Sequence, residues 1–136
     1  MNIGEISVGQ SAEMSRTVTS EGILAFAEAT GDFNPVHVDE EAGKASLFGE
    51  RIAHGMLGAG LISAVLGMKL PGAGALYLSQ TLKFVKPVKI GDVITARVEV
   101  VEVIAPKKRV RLATTVRNQD GDTVIEGEAL AKVRGG

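Results

Sequence analysis

Residues 30–41, TGDFNPVHVDEE, place Asp32, Asn34, His37 and Asp39 within a few positions of one another and hold one of only two histidines in the chain. Histidine titrates nearest neutral pH, and a carboxylate beside it can orient its tautomer or take a proton itself. Asp32 and His37 stand five residues apart across a bend marked by Gly31 and Pro35, a spacing that lets both reach one water molecule. Asn34 offers two donors and an acceptor to hold that bend. The same residue types are ordinary turn formers, so spacing alone leaves a plain surface turn standing beside a proton-transfer loop. Pro35 fixes its own φ and biases Asn34 away from helix, which predicts an extended, rigid run from Gly31 to Val38.

A second candidate group lies at His54 and Gly55, where a long uncharged run begins. Helix starts carry unpaired N–H groups and the positive end of the dipole, so Gly55 can present its N–H to a carbonyl oxygen gaining negative charge. A plain helix cap, with His54 packed inward, explains the same residues. Ser63 is the only hydroxyl of that helix. It either bonds back to a carbonyl one turn earlier or holds the Asp/His loop. Two other constellations are weaker. His37, Asp39 and His54 make the two-histidine, one-carboxylate set of non-haem iron sites, yet too few strands remain for the jelly roll that usually hosts it. Ser63 lacks the elbow sequence of a hydrolase nucleophile.

The elements that must position these residues divide the chain in two. The first half reads as helix and loop. In residues 19–31, Ile23, Phe26 and Ala27 recur at helical spacing, Thr19 or Ser20 caps the start and Gly31 ends it. A short helix is expected in DEEAGKAS. The uncharged run IAHGMLGAGLISAVLGM, residues 52–68, is shorter than the ~18 or more apolar residues of a membrane span and predicts a core helix from about Gly55 to Met68. Apolar around its whole circumference, it must be covered on nearly all sides, as by a curved sheet. Gly58 and Gly60 would each cost it about 1 kcal/mol, a loss that makes sense where neighbouring backbone packs close. The second half reads as four strands, separated by Gly91-Asp92, Pro106-Lys107-Lys108 and Asp120-Gly121-Asp122, and predicts an antiparallel meander.

Composition narrows the functions. A chain of 136 residues suits one domain, which would bury roughly two-thirds of its unfolded surface. Fifteen basic and sixteen acidic residues leave a net charge of −1, so no basic field draws in nucleic acid. The absence of cysteine excludes disulfides, thiolate metal sites and cysteine nucleophiles. The first residues show no basic segment followed by an apolar run, which makes the cytoplasm the expected location.

Residues 26–39, FAEATGDFNPVHVD, followed by IAHGML at 52–57 and the later GDVITARVEV, resemble the MaoC-like, (R)-specific enoyl-CoA hydratases. The resemblance spans nearly the whole chain. It implies a single α+β domain over residues 1–136 with the hot-dog fold, an antiparallel sheet wrapped around a central helix. It implies a homodimer with clefts near the subunit interface, and reversible syn-hydration of trans-2-enoyl-CoA to (R)-3-hydroxyacyl-CoA. Asp32 and His37 are then the catalytic pair, Gly55 the oxyanion donor, and Asn34 and Ser63 supporting groups. Coenzyme A is part of the substrate, and no metal, redox cofactor, nucleic acid or membrane is implied. Acyl chain length and the pathway served, polyester precursor supply or fatty-acid degradation among them, stay open. Acyl-CoA thioesterases share the fold, as would a non-catalytic acyl-CoA-binding or dimer-partner module, although an intact Asp32/His37 pair speaks against the latter.

Overall fold

Helix α1 (Ser20–Thr30) forms where apolar spacing and two end signals coincide. The Thr19 hydroxyl accepts the Gly22 N–H at 3.0 Å, and Gly31 stops the helix in the left-handed region at φ 83°. Ile23 and Ala27 are its fully buried positions. The structure, a computed structural model, describes residues 1–134. Beyond α1 the chain makes two short helices, α2 (Pro35–Val38) and α3 (Glu40–Ala45), before the long α4 (Gly55–Met68).

Helix α2 corrects the extended run expected over residues 31–38. The restriction that a proline imposes falls on the residue before it, and Asn34 is indeed non-helical, with ψ 125°. Pro35 itself occupies the first helical position, where a missing N–H costs nothing and φ is already suitable.

Five strands make one antiparallel sheet: β1 (Ser11–Thr17), β2 (Leu76–Phe84), β3 (Val93–Ile104), β4 (Arg109–Arg117) and β5 (Thr123–Lys132). Their spatial order is β1-β3-β4-β5-β2. Only β3, β4 and β5 form the expected meander; β2 crosses to the far edge and pairs with β5. Strand β1 was not anticipated. Its sequence, SAEMSRT, has one β-branched residue, and what makes it a strand is the free edge of β3, with Met14 opposite Ala96.

Helix α4 lies against β3, β1 and β4. Alternation along the strands points Ile94, Ala96, Val98 and Val100 of β3 and Val110, Leu112 and Val116 of β4 into the core, where they meet Ile62, Val65 and Leu66 of α4. Each buried Val, Leu or Ile among them contributes about 1.5–3 kcal/mol. This is the hot-dog architecture that the resemblance implies.

The sheet covers one side of α4 only, which corrects the expectation of cover all round. Met56, Gly60, Ser63 and Gly67 stay exposed along the opposite face. The two helix glycines differ accordingly. A Cβ on Gly58 would lie 2.7 Å from the Ile125 side chain, whereas one on Gly60 would meet nothing within 4 Å, so neither answers to a close backbone.

Gly127 does. On β5 a Cβ there would lie 1.8 Å from the Thr81 carbonyl oxygen of β2. We expect Gly127→Ala to force β2 away from β5 and to destabilise the protein by about 1–3 kcal/mol, the usual cost of overpacking, as read from the urea midpoint. An unchanged midpoint would refute this reading of the β2–β5 contact.

Candidate active site

From the end of α1 the chain is turned by a succession of side-chain caps. The Thr30 hydroxyl accepts the Asp32 N–H at 3.2 Å, the Asp32 carboxylate accepts the Asn34 N–H at 3.1 Å, and Asn34 Oδ1 accepts the Val36 N–H at 3.2 Å. The same Asn34 side chain caps α2, on whose single turn His37 sits.

This loop is laced to residues 51–54, the stretch leading into α4. The Ile52 N–H donates to the Val36 carbonyl at 3.2 Å, and His37 Nδ1 is bonded to the Ile52 carbonyl at 2.8 Å. A carbonyl only accepts, so Nδ1 carries the hydrogen and, in the neutral ring, Nε2 holds the free lone pair. Arg51, 7% exposed, donates from Nε to the His37 carbonyl at 2.8 Å, and from Nη1 to Ser20 Oγ at 3.1 Å and Glu40 Oε1 at 3.2 Å. One guanidinium thus ties α1, α2 and α3 together, its fork geometry serving three partners at once. Gly43 of α3 packs against it so closely that a Cβ would lie 2.5 Å from the Arg51 backbone nitrogen.

His54 completes the lacing: its Nε2 donates to the Asp32 carbonyl at 2.9 Å. Its ring centroid lies 4.0 Å from that of His37, at an interplanar angle of 31°, and 4.7 Å from that of Phe26. A carboxylate oxygen of Asp32 and one ring nitrogen each from His37 and His54 all lie within 4.8 Å of one another. A single water with hydrogen bonds of about 2.8 Å fits between an acid and a base so separated.

That cluster differs from the iron ligand set weighed above. Asp39 is not part of it; its carboxylate accepts the Glu41 N–H at 3.1 Å and caps α3. The two imidazoles lie largely face to face, with one nitrogen of each bonded to a backbone carbonyl, whereas ligands of one cation aim ring edges at it.

Gly55 is the first residue of α4, where a backbone N–H has no intrahelical partner. His54 stands at the cap position with no side-chain capping bond. The Phe84 ring occupies the space beside Gly55, and a Cβ there would lie 2.7 Å from it.

Two clefts meet at these residues. One, of about 610 Å³, is lined by Asp32, His37, Gly55, Ser63, Tyr77 and Gln80 among others. The other, of about 470 Å³, is largely apolar and is lined by Phe48, Leu57, Phe84, Val88 and Ile125. His37, His54, Gly55 and Met56 border both. Burial pushes the Tyr77 phenol above its ordinary range, so at neutral pH it stays an O–H and donates to Gln80 Oε1, while Gln80 Nε2 donates to Thr114 Oγ1 at 2.9 Å.

Asp32, His37, Gly55 and Ser63 therefore line one cleft. Ser63 faces it from the open side of α4, and its hydroxyl has no hydrogen-bond partner among the described residues. Asn34 acts on the loop from outside. Sequence reasoning left Arg51 and Phe84 unremarked and weighed His54 only as a ligand or a cap. Their contacts span 11 to 31 residues of chain, or depend on a strand crossing to the sheet edge, and no local pattern signals either.

Comparison with known proteins matches residues 4–122 to the MaoC like domain. The chain is 49% identical over 129 residues to a 3-hydroxybutyryl-CoA dehydratase of Methylorubrum extorquens, covering 95% of this chain and 82% of that protein. It is also 49% identical over 129 residues to an (R)-specific enoyl-CoA hydratase of Rhodospirillum rubrum, covering 95% and 89%. Among solved structures, the unliganded R-hydratase PhaJ1 of Pseudomonas aeruginosa superposes with a TM-score of 0.94 at 45% identity, over 99% of this chain and 86% of that one.

Proposed function

The chain belongs to the MaoC-like domain family, and from that membership and the geometry of its site we propose that it is an (R)-specific enoyl-CoA hydratase, a hydro-lyase that adds water reversibly to trans-2-enoyl-CoA. One observation carries the reading: the Asp32 carboxylate and the His37 imidazole lie within 4.8 Å of each other at the start of an apolar helix where two clefts meet. A substrate with two long arms, acyl chain and pantetheine, needs room on both sides of its reacting centre, and the two clefts border the same residues.

Water is a weak nucleophile and the β-carbon of an enoyl thioester a modest electrophile, so the enzyme must activate one and polarise the other. The Asp32/His37 pair receives a proton from the bound water as its oxygen bonds to Cβ. The π electrons move toward the thioester carbonyl, whose oxygen gains the negative charge that the Gly55 N–H and the positive end of α4 stabilise. The proton then returns to Cα on the same face, which makes the addition syn. Asn34 holds the turn that aims the pair, and Ser63 supplies a hydroxyl to the cleft wall. The reaction adds the elements of water with no net oxidation or reduction, so it calls for no redox cofactor.

We assign the open face of α4 and the edge strand β2 to a second copy of the chain. Leu76, Tyr77 and Leu78 are exposed on that edge, and an unpaired edge carrying apolar side chains calls for a partner.

Each of these assignments has its own test. The wild-type protein is expected to consume enoyl-CoA with formation of the (R)-alcohol and no release of free thiol; stoichiometric thiol release would make it a thioesterase. Asp32→Asn and His37→Gln should each lower kcat by about 10²–10⁴-fold with the fold intact, and their combination should fall well short of additivity because both act on one water.

The donor role of Gly55 is separable from packing. In a Phe84→Ala background, which clears the space beside position 55, Gly55→Pro should keep the helix yet lower kcat by about 10²–10³-fold relative to that background. Wild-type-like turnover with normal substrate affinity would place the oxyanion donor elsewhere.

The dimer should persist on dilution to low micromolar protein in sedimentation, and Leu76→Lys should weaken it. A fully active monomer at the same concentration would remove the second copy from the account.

A further inference from the structure

His54 is 4% exposed, and neither of the usual reasons for a residue at its position explains an imidazole there. As a helix cap it forms no side-chain capping bond. As core filling it is expensive, because Nδ1 is buried with no hydrogen-bond partner among the described residues, and an unmet buried polar atom costs about 1–3 kcal/mol that an apolar ring would avoid. What the imidazole supplies, and an apolar ring does not, is the Nε2–H that holds the Asp32 backbone carbonyl at 2.9 Å while the ring packs on His37 at 4.0 Å.

We propose that His54 is the positioning residue of the catalytic loop: it sets the distance between the Asp32 carboxylate and the His37 imidazole by bonding the backbone of the first and stacking on the ring of the second. Phe26 of α1, 4.7 Å away, backs the same ring, so α1 braces the stack. The inference rests on the reading that Asp32 and His37 act on one water. Asp32 needs such a hold. Its own side-chain bonds are to the turn it caps, and its carboxylate is exposed, so the bond from His54 is what ties residue 32 to the start of α4.

The test separates the ring from the bond. His54→Phe keeps an aromatic ring on His37 and loses the donor; His54→Gln gives up the ring but can place an amide N–H near the former Nε2. Misplacing a catalytic group by about 1 Å can cost about 10²-fold, so His54→Phe should lower kcat by that order with KM nearly unchanged. His54→Gln should recover most of the loss. A purely structural residue would instead lower the melting temperature and leave kcat per folded enzyme alone. Wild-type kcat in folded His54→Phe, or equal slowing in the Phe and Gln variants, would overturn the proposal.

Should His54→Phe fail to fold, His54→Asn takes its place. The shorter amide does not reach the Asp32 carbonyl, so an Asn variant as active as Gln would count against the bond and a slower one for it. Asp32→Asn and His37→Gln measured alongside report on the catalytic pair itself. Failure of that reading shows in those two variants, and failure of the positioning role shows in the His54 series alone.

Discussion

The site depends on one constraint: a loop with almost no regular structure of its own is bonded to the segment that starts the core helix. Residues 32–37 and 51–54 are joined by bonds from Ile52 to Val36, from His37 to Ile52, from Arg51 to His37 and from His54 to Asp32. In each of these the loop or the segment offers a backbone group, so the register is set by geometry that side-chain rotation in solvent does not disturb. Loops ordinarily carry their functional groups on mobile backbone. Here the backbone of the loop borrows the rigidity of α4, and α4 takes its own from the buried faces of β3, β1 and β4.

The same arrangement puts Asp32 and His37 beside the first turn of α4. Apart from Ser63, the helix interior offers only apolar side chains, glycines and satisfied peptide groups. Its first turn offers unpaired N–H groups and the positive end of the dipole, in a place that both clefts border. With a net charge of −1 the chain has no large field to lend, so any anion bound there would have to be stabilised locally. The tautomer of His37 is set by equally local means: with Nδ1 bonded to Ile52, the ring has one nitrogen left to offer the cleft.

Much of this was legible from residues alone, and what was not shares a physical cause. Thr19, Gly31, the uncharged run of α4 and the alternation in β3 and β4 are local signals, and each element lies where its signal stands. Asp32, His37, Gly55 and Ser63 were legible as a group because a turn and a helix start each leave marks in sequence. Strand β1 was not, since a polar edge strand is made by the neighbour it pairs with and not by its own propensity. Arg51 and His54 escaped for a similar reason: their partners are distant in sequence, and each bonds a backbone carbonyl, which has no residue type. The crossing of β2 to the far edge was equally invisible, and with it the contact of Phe84 on Gly55.

Gly43 shows how far the site reaches. It lines neither cleft, and it sits on a short helix of ordinary composition. Yet any larger residue there presses on the Arg51 backbone nitrogen, and Arg51 holds His37. The freedom of position 43 to vary is therefore governed by clefts that it does not line. In a survey of tolerated substitutions along this chain that glycine would rank with the residues of the candidate site, and the cause would be steric inheritance through one arginine.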